Sequence, residues 1–503
     1  MGIHKESLPI ESSNNLSIEV FLNILQNPIL KKFIYFADRQ CSKCSRTYLQ
    51  AAMESLSGVI SGPRTLTCSL FTDILNIILR LGSTTFGIDK ETVRSSLKTP
   101  YVRKGLVNVL EGIGRYGVTR PQRLAAPFLV VWNFTNACNL KCKHCYQRAD
   151  KHSSDELSTT EAKSIIDQLD DLNVSSIAFS GGEPLMREDF FEVAEYAAKR
   201  GLYVSVATNG TMLTENNVER LKESKISYVE ISLDSSKPSL HDSFRGVRGS
   251  FNRTVEGIKN TVKAGLFTGV ATVLTRENLY EIHEIIELTK NIGVGRIIVF
   301  NFIPTGRGKE IVDIDLYPEQ RENLLKYLYK ELSSGSIEAL STAPQYARVC
   351  IQQSLANGQS MTAPTHFAAM DLPRKTKQLA EFLGGCGVGR LYCAIQPNGL
   401  VTPCVFMPIV IGDLRKQSLR EIWSTSTVLR DLSDREMLKG RCGRCLYKYI
   451  CGGCRARAYA YHGDYLAPDP GCIREQEEPS MSFSLQNMSK DLISYGKVGE
   501  VHL

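Results

Sequence analysis

The chain has 503 residues, of which 43% are hydrophobic and 22% charged, a globular composition that excludes a largely disordered or fibrous protein. Its 60 basic and 53 acidic residues leave a net charge of +7 with no long Lys/Arg run, so charge gives no ground for a nucleic-acid partner. The unusual figure is 15 cysteines, eight of them between Cys386 and Cys472. The opening MGIHKESLPI has no apolar signal region. The clustered cysteines are therefore expected to be metal ligands in a cytoplasmic protein, not disulfide partners.

Residues 1–125 read as mostly helical. Stretches 17–36 and 69–82 carry apolar residues at three- and four-residue spacing. Core-facing helices are expected there; the alternative is a face that grips an apolar substrate or makes peripheral contact with a membrane. Lys31 and Lys32 interrupt one stretch and Asp73 and Arg80 the other, and no apolar run reaches the roughly 18 residues that span a bilayer.

From 126 to 310 the pattern changes to short apolar runs separated by helical segments. The expected strands are 128–135, 176–180, 202–208, 228–234, 269–275 and 296–304. Ser158, with Glu161 three residues on, reads as a capping box that starts a helix. Successive strand–helix–strand crossovers imply a parallel sheet with helices outside, and six such units suggest a partial (β/α)6 barrel of the α/β class. Residues 311–385 read as a helical and then loop-like bridge. Residues 386–475 are Cys- and Gly-rich, with little apolar core, and would need metal to hold them together. Residues 476–503 form a polar tail.

At the end of the first expected strand stands CNLKCKHCY, which spaces Cys138, Cys142 and Cys145 as C-x3-C-x2-C. Three thiolates on one loop can hold three irons of a [4Fe–4S] cluster and leave the fourth open to an outside ligand. A zinc site completed by His144, or three unrelated thiols, are the alternatives.

This motif and its setting resemble the radical S-adenosylmethionine (SAM) superfamily over 126–310, and 386–475 resembles the SPASM extension of that superfamily. The resemblance implies that the open iron chelates SAM. The reduced cluster then cleaves SAM to a 5′-deoxyadenosyl radical, which abstracts hydrogen from an unactivated C–H bond. It also implies roles for individual residues. Gly181, Gly182, Glu183 and Pro184 match the GGEP motif, expected at the SAM amino group. Asn209, Ser232 and Asp234 stand at strand ends and are expected against the ribose and methionine parts. Arg245 is expected to pair with the SAM carboxylate, while Asn301, Ile303 and Tyr146 are expected to border the adenine. His144 is expected beside the cluster without ligating it.

The C-terminal cysteines run Cys386, Cys393, Cys404, Cys442, Cys445, Cys451, Cys454 and Cys472. Eight thiolates suit two fully ligated clusters, and C-x2-C pairs also suit zinc. The resemblance implies two auxiliary [4Fe–4S] clusters, three in all. One set would be Cys386, Cys393, Cys404 and Cys454; the other would be Cys442, Cys445, Cys451 and Cys472. The two-residue gap between Cys451 and Cys454, where three is usual, leaves that partition open. Cys41 with Cys44, Cys68 and Cys350 are read as buried or incidental thiols, with a half-site, a redox pair or a metal ligand as the alternative.

The resemblance implies an oxidoreductase-type modifying enzyme that draws its electron from a donor such as ferredoxin or flavodoxin. The stretch 451–472 looks like the branch acting on tetrapyrrole side chains, so a tetrapyrrole or other small molecule is the first expectation. A ribosomal-peptide maturase comes second and a membrane-lipid enzyme third. Arg455 and Arg457 are candidates for pairing with propionates, with a solvated or cluster-side structural role as the equal alternative. The non-enzyme alternatives are an iron–sulfur electron carrier or scaffold and a zinc-based nucleic-acid module.

Overall fold

The structure is a computed structural model that describes residues 18–475 except 42, 45, 60–64, 87, 359–360, 365–368 and 373–376. The tail expected over 476–503 lies outside the described residues.

Six helices open the described chain: α1 (Ile18–Leu25), α2 (Pro28–Ala37), α3 (Tyr48–Ser57), α4 (Leu66–Phe86), α5 (Lys90–Leu97) and α6 (Pro100–Tyr116). Their starts follow local chemistry. Asn27 caps α2, a Thr47–Gln50 capping box starts α3, and Asp89 caps α5. Their apolar faces meet in one core that includes Ile34, Met53, Phe71, Leu75, Val107 and Ile113. Helix α4 has 21 residues and is long and apolar enough to cross a membrane. It turns Cys68, Phe71, Leu75 and Ile78 inward and leaves Leu66, Leu70 and Ile77 exposed.

This helical region docks at the end of the sheet where the strands begin. Buried Asn108 of α6 donates to the Ala126 and Pro127 carbonyls and accepts from the Ala126 amide. Asn173, just before the second strand, receives a hydrogen bond from Gln50 and donates one to Glu111.

The strands are β1 (Leu129–Thr135), β2 (Ser176–Gly181), β3 (Tyr203–Thr208), β4 (Tyr228–Ser232), β5 (Thr268–Val273), β6 (Arg296–Phe300), β7 (Glu338–Ser341), β8 (Met361–Pro364), β9 (Ala369–Leu372), β10 (Tyr392–Ile395), β11 (Leu400–Thr402) and β12 (Gly412–Asp413). Strands β8 and β9 pair with each other. The other ten form one sheet in the order β12-β11-β10-β1-β2-β3-β4-β5-β6-β7. All pairings from β10 through β7 are parallel, and β11 and β12 add antiparallel.

The six expected strands are present within a residue or two at most ends. Two features go beyond the sequence reading. The bridge region contains β7, which extends the parallel sheet. The Cys-rich region is not a separate metal-held appendage: β10 pairs beside β1, with Leu129 opposite Tyr392 and Trp132 opposite Ile395. Ile395, Val401, Leu419, Ile422 and Trp423 from that region join the main hydrophobic core.

Strand alternation decides what faces where. On β1, Val130, Trp132 and Phe134 pack outward under the helices, while Leu129 and Val131 face an internal cavity. On β4, Val229 and Ile231 pack outward, while Tyr228, Glu230 and Ser232 face the same cavity. The helix Thr159–Asp171 begins at the Ser158–Glu161 capping box and turns Ala162, Ile165, Ile166 and Leu169 onto the sheet. Each large apolar side chain buried in this way contributes about 1.5–3 kcal/mol.

Candidate active site

A cavity of about 460 Å³ runs through the barrel from Leu129, Tyr203 and Arg296 at the starts of the strands to Gly181, Asn209 and Asn301 at the carboxyl end. This is the end at which barrel folds carry their chemistry. Cys138, Cys142 and Cys145 line it, on the loop that leaves β1. Gly181, Gly182, Tyr146, Asn209, Ser232, Arg245, Asn301 and Ile303 line it as well.

The loop is held from several sides. Lys141 and Lys143 amides donate to the Arg245 and Phe244 carbonyls at 3.1 and 2.9 Å. Arg307 donates to the Cys142 and Ala149 carbonyls. The Gly182 and Glu183 amides donate to the Thr135 and Ala137 carbonyls, both at 2.7 Å. Gly182 is required by this close approach, because a Cβ there would stand 2.1 Å from the Ala137 oxygen.

Burial raises the Cys138 thiol to about 12 and also raises Cys142. Thiols in such surroundings ionise when a metal supplies the compensating charge. His144 stacks on Phe244 at 4.4 Å, and burial lowers its pKa to about 4, so it remains a neutral neighbour of the loop.

The expected SAM-contacting residues divide into two groups. Asn301 faces the cavity with its Nδ2 lacking a partner among the described residues, a donor available to a ligand. The Tyr146 hydroxyl donates to Asn133 Oδ1 at 2.8 Å and lies 3.1 Å from Ser180 Oγ, and its ring meets Phe406 edge-on. Asn209 donates to Asn139 Oδ1 and accepts from Thr211.

Glu183, Pro184 and Asp234 stand behind the wall and do not line the cavity. Glu183 is fully buried, and its carboxylate accepts from the Thr208 hydroxyl and the Asn209 amide. Asp234 forms an ion pair with Arg245 (Oδ2 to Nε, 2.6 Å) and accepts from the Val273 amide. Burial alone would raise Asp234, but Arg245, His144, His241 and the Val273 amide together outweigh it and hold the carboxyl below its ordinary range. Of this set, Gly181, Gly182, Asn209, Ser232 and Arg245 face the cavity, and Glu183, Pro184 and Asp234 stand behind them.

Two further cysteine groups form. Cys386, Cys404 and Cys454 line the same cavity and cluster with Ile303. Cys442, Cys445, Cys451 and Cys472 line a second, small cavity of about 30 Å³. Cys393 corrects the sequence reading, which placed it with the first of these groups. In β10, Tyr392 faces the cavity, so Cys393 one residue on points to the opposite face. There it stands opposite Val130, fully buried in the main core.

Arg455 and Arg457 take the structural one of their two expected roles, because both are buried and fully engaged. Arg455 donates to the Gly453, Tyr465 and Ala467 carbonyls, and Arg457 pairs with Asp315 and Asp469. Neither guanidinium is free for a carboxylate ligand.

Three neighbours of these groups escaped the sequence reading. The Tyr392 hydroxyl donates to Cys404 Sγ at 2.8 Å. Arg390 and Arg435, each about 1% exposed, both donate to the Cys386 carbonyl. Arg390 Nη1 and Nη2 and Arg435 Nε and Nη1 have no hydrogen-bond partner among the described residues. Two guanidiniums buried without a carboxylate are costly unless an anion lies beside them. A thiolate-ligated iron–sulfur cluster is such an anion, so the residues present fit that group. Arg390 and Tyr392 flank Cys393 in the GRLYC run at 389–393, and nothing in the sequence around Arg435 marks it.

Comparisons with known proteins agree with this geometry. The sequence model described as the radical SAM superfamily matches residues 132–289, and one described as an iron–sulfur cluster-binding domain, SPASM, matches 386–446. The chain is 40% identical over 353 residues to the AdoMet-dependent heme synthase of Methanosarcina barkeri, covering 69% of this chain and 97% of that protein. It is 31% identical over 369 residues to the mycofactocin maturase MftC of Mycobacterium tuberculosis, covering 71% and 86%. Among solved structures, Streptococcus suis SuiB bound to S-adenosylmethionine superposes with a TM-score of 0.61 at 17% identity, covering 85% of this chain and 93% of that one.

Proposed function

Because the chain belongs to the radical SAM superfamily and carries its SPASM iron–sulfur domain, we propose that it modifies the side chain of a tetrapyrrole. It is an enzyme whose cofactors are SAM and [4Fe–4S] clusters. When bound, the reduced cluster splits SAM into methionine and a 5′-deoxyadenosyl radical, which takes a hydrogen atom from an unactivated C–H bond.

In this reading Cys138, Cys142 and Cys145 hold the SAM-binding cluster. Gly181, Gly182, Asn209, Ser232 and Arg245 bind the methionine and ribose parts of SAM, and Tyr146, Asn301 and Ile303 border the adenine. Cys386, Cys404 and Cys454 hold one auxiliary cluster; Cys442, Cys445, Cys451 and Cys472 hold the other. With Cys393 turned into the core, Cys386, Cys404 and Cys454 would hold the first auxiliary cluster through three thiolates, leaving one iron for another ligand. The external electron comes from a ferredoxin or flavodoxin.

The observation that carries the reading is that one cavity holds both the first cysteine triad and the Cys386–Cys404–Cys454 trio. A substrate seated between them can give its hydrogen atom on one side and its remaining electron on the other. Phe300, Phe302, Ile303, Val388, Tyr392 and Phe406 supply an apolar wall for a flat ring system. The tetrapyrrole class is preferred because the heme synthase relative aligns over nearly its whole length at 40% identity.

The peptide alternative draws on the maturase relative. The N-terminal region does not favour it: residues 18–116, as described, hold six helices and one isolated bridge, without the strand pair of a winged-helix leader-binding domain.

The test is mass spectrometry of anaerobic, reduced reactions with deuterated iron tetrapyrroles. Deuterium in 5′-deoxyadenosine together with a mass change in the tetrapyrrole is expected. Deuterium transfer from a peptide substrate alone would overturn the proposal.

A further inference from the structure

Cys41, Cys44 and Cys68 lie outside everything assigned so far. Cys41 and Cys44 sit on the turn between α2 and α3, which is closed by the antiparallel Gln40–Thr47 bridge and by a 2.8 Å hydrogen bond from the Cys41 amide to the Arg46 carbonyl. Cys68 sits in the first turn of α4, where Thr65 Oγ1 accepts from its amide. The three sulfurs lie within 4.8 Å of one another, and Cys41 and Cys68 are 3.5 Å apart. Cys41 and Cys68 are buried, while Cys44 is half-buried and open to solvent on one side.

The spacing suits a single ion. A tetrahedral zinc with Zn–S bonds of about 2.3 Å sets its sulfurs about 3.8 Å apart. A four-iron cube holds its thiolates one per corner and farther apart. Among the described residues no other three cysteines share so small a space, the triads at the main cavity included.

Charge points the same way. Arg245 lies beside Cys142, and Arg455 beside Cys442. By contrast, no lysine or arginine among the described residues hydrogen-bonds to Cys41, Cys44 or Cys68. Of the flanking arginines, Arg46 is paired with Glu54 and Arg39 lies over the Phe36 ring. The amino end of α4, where Cys68 sits, favours negative charge at this point.

We propose that Cys41, Cys44 and Cys68 bind one zinc ion, which ties the α2–α3 turn to the start of α4 and keeps its fourth position open to water or an exogenous ligand. The site is independent of the radical chemistry. Its domain meets the barrel through Gln50, Asn108 and Glu111, where the strands begin, whereas the cysteine triad of the main cavity sits on the loop that leaves β1 at its carboxyl end.

Metal analysis of the full-length, anaerobically purified protein tests this. About one zinc per chain is expected in addition to the cluster iron. Cys44→Ser and Cys68→Ser should each lower the zinc at least tenfold and leave iron content and 5′-deoxyadenosine formation within twofold. A second measurement needs no variant: cobalt(II) added to chelator-treated wild-type protein should give thiolate-to-cobalt charge-transfer and tetrahedral d–d bands. Zinc content unchanged by both substitutions overturns the site, as does loss of iron instead of zinc. A Cys41–Cys68 disulfide in non-reducing peptide maps of the anaerobic protein, or absence of the cobalt bands, also overturns it.

Discussion

Asp234 Oδ2 lies 2.6 Å from Arg245 Nε, and Nη1 of the same guanidinium reaches Cys142 Sγ at 3.7 Å. A carboxylate at the end of β4 thus orients the cation that stands beside the first cysteine triad. Asp234→Asn keeps the shape and removes the charge. It should weaken SAM binding about tenfold, or roughly 1.4 kcal/mol, with iron content unchanged, as read by equilibrium binding. An unaltered affinity would show that Arg245 needs no anchor.

The opposite orientations of Cys393 and Cys404 separate two ligand schemes. Cys404→Ala should cost about four irons per chain. Cys393→Ala should cost none and should only lower stability, by about 1 kcal/mol for the small core void it leaves. Iron and sulfide assays on both variants decide the matter. Equal losses would return Cys393 to the ligand set.

Gly182 meets the Ala137 carbonyl too closely for any side chain. In Gly182→Ala the loop bearing Cys138 must move, so SAM cleavage should fall at least tenfold while the Cys442–Cys472 group keeps its iron. Single-turnover formation of 5′-deoxyadenosine, compared with total iron, reads both effects.

Burial raises the Glu183 carboxyl from 4.5 to about 7, against hydrogen bonds from the Asn209 amide and the Thr208 hydroxyl that lower it. The folded chain therefore holds this proton more tightly than the unfolded chain. The resulting stability is complete below pH 4.5 and is lost as pH rises through about 7. Glu183→Gln should flatten the fall in unfolding free energy across that window, measured by denaturant titration at several pH values. A slope identical to wild type would exclude Glu183 as its source.

The parts of this molecule written in local patterns were legible. Apolar runs located β1 to β6, Ser158 and Glu161 located a helix start, and the C-x3-C-x2-C spacing located the cavity loop. Strand β7 was not legible, because its four residues, EALS, carry no recognisable run. Orientation was the harder limit. Tyr392 and Cys393 are neighbours in sequence, and only pairing of β10 against β1 decides which of them faces the cavity. Arg457 could be read as free for a ligand until Asp315, far away in sequence, proved to stand beside it, and Arg455 until the Tyr465 and Ala467 carbonyls proved to hold it.

The pairing of β10 with β1 has a practical consequence. A chain cut before Cys386 would lose β10, β11 and β12 together and turn β1, an interior strand, into a bare margin of unpaired amides and carbonyls. Such a margin recruits other chains. A truncated barrel should therefore precipitate or self-associate, so the two halves of the electron path must be dissected by point substitution and not by excision.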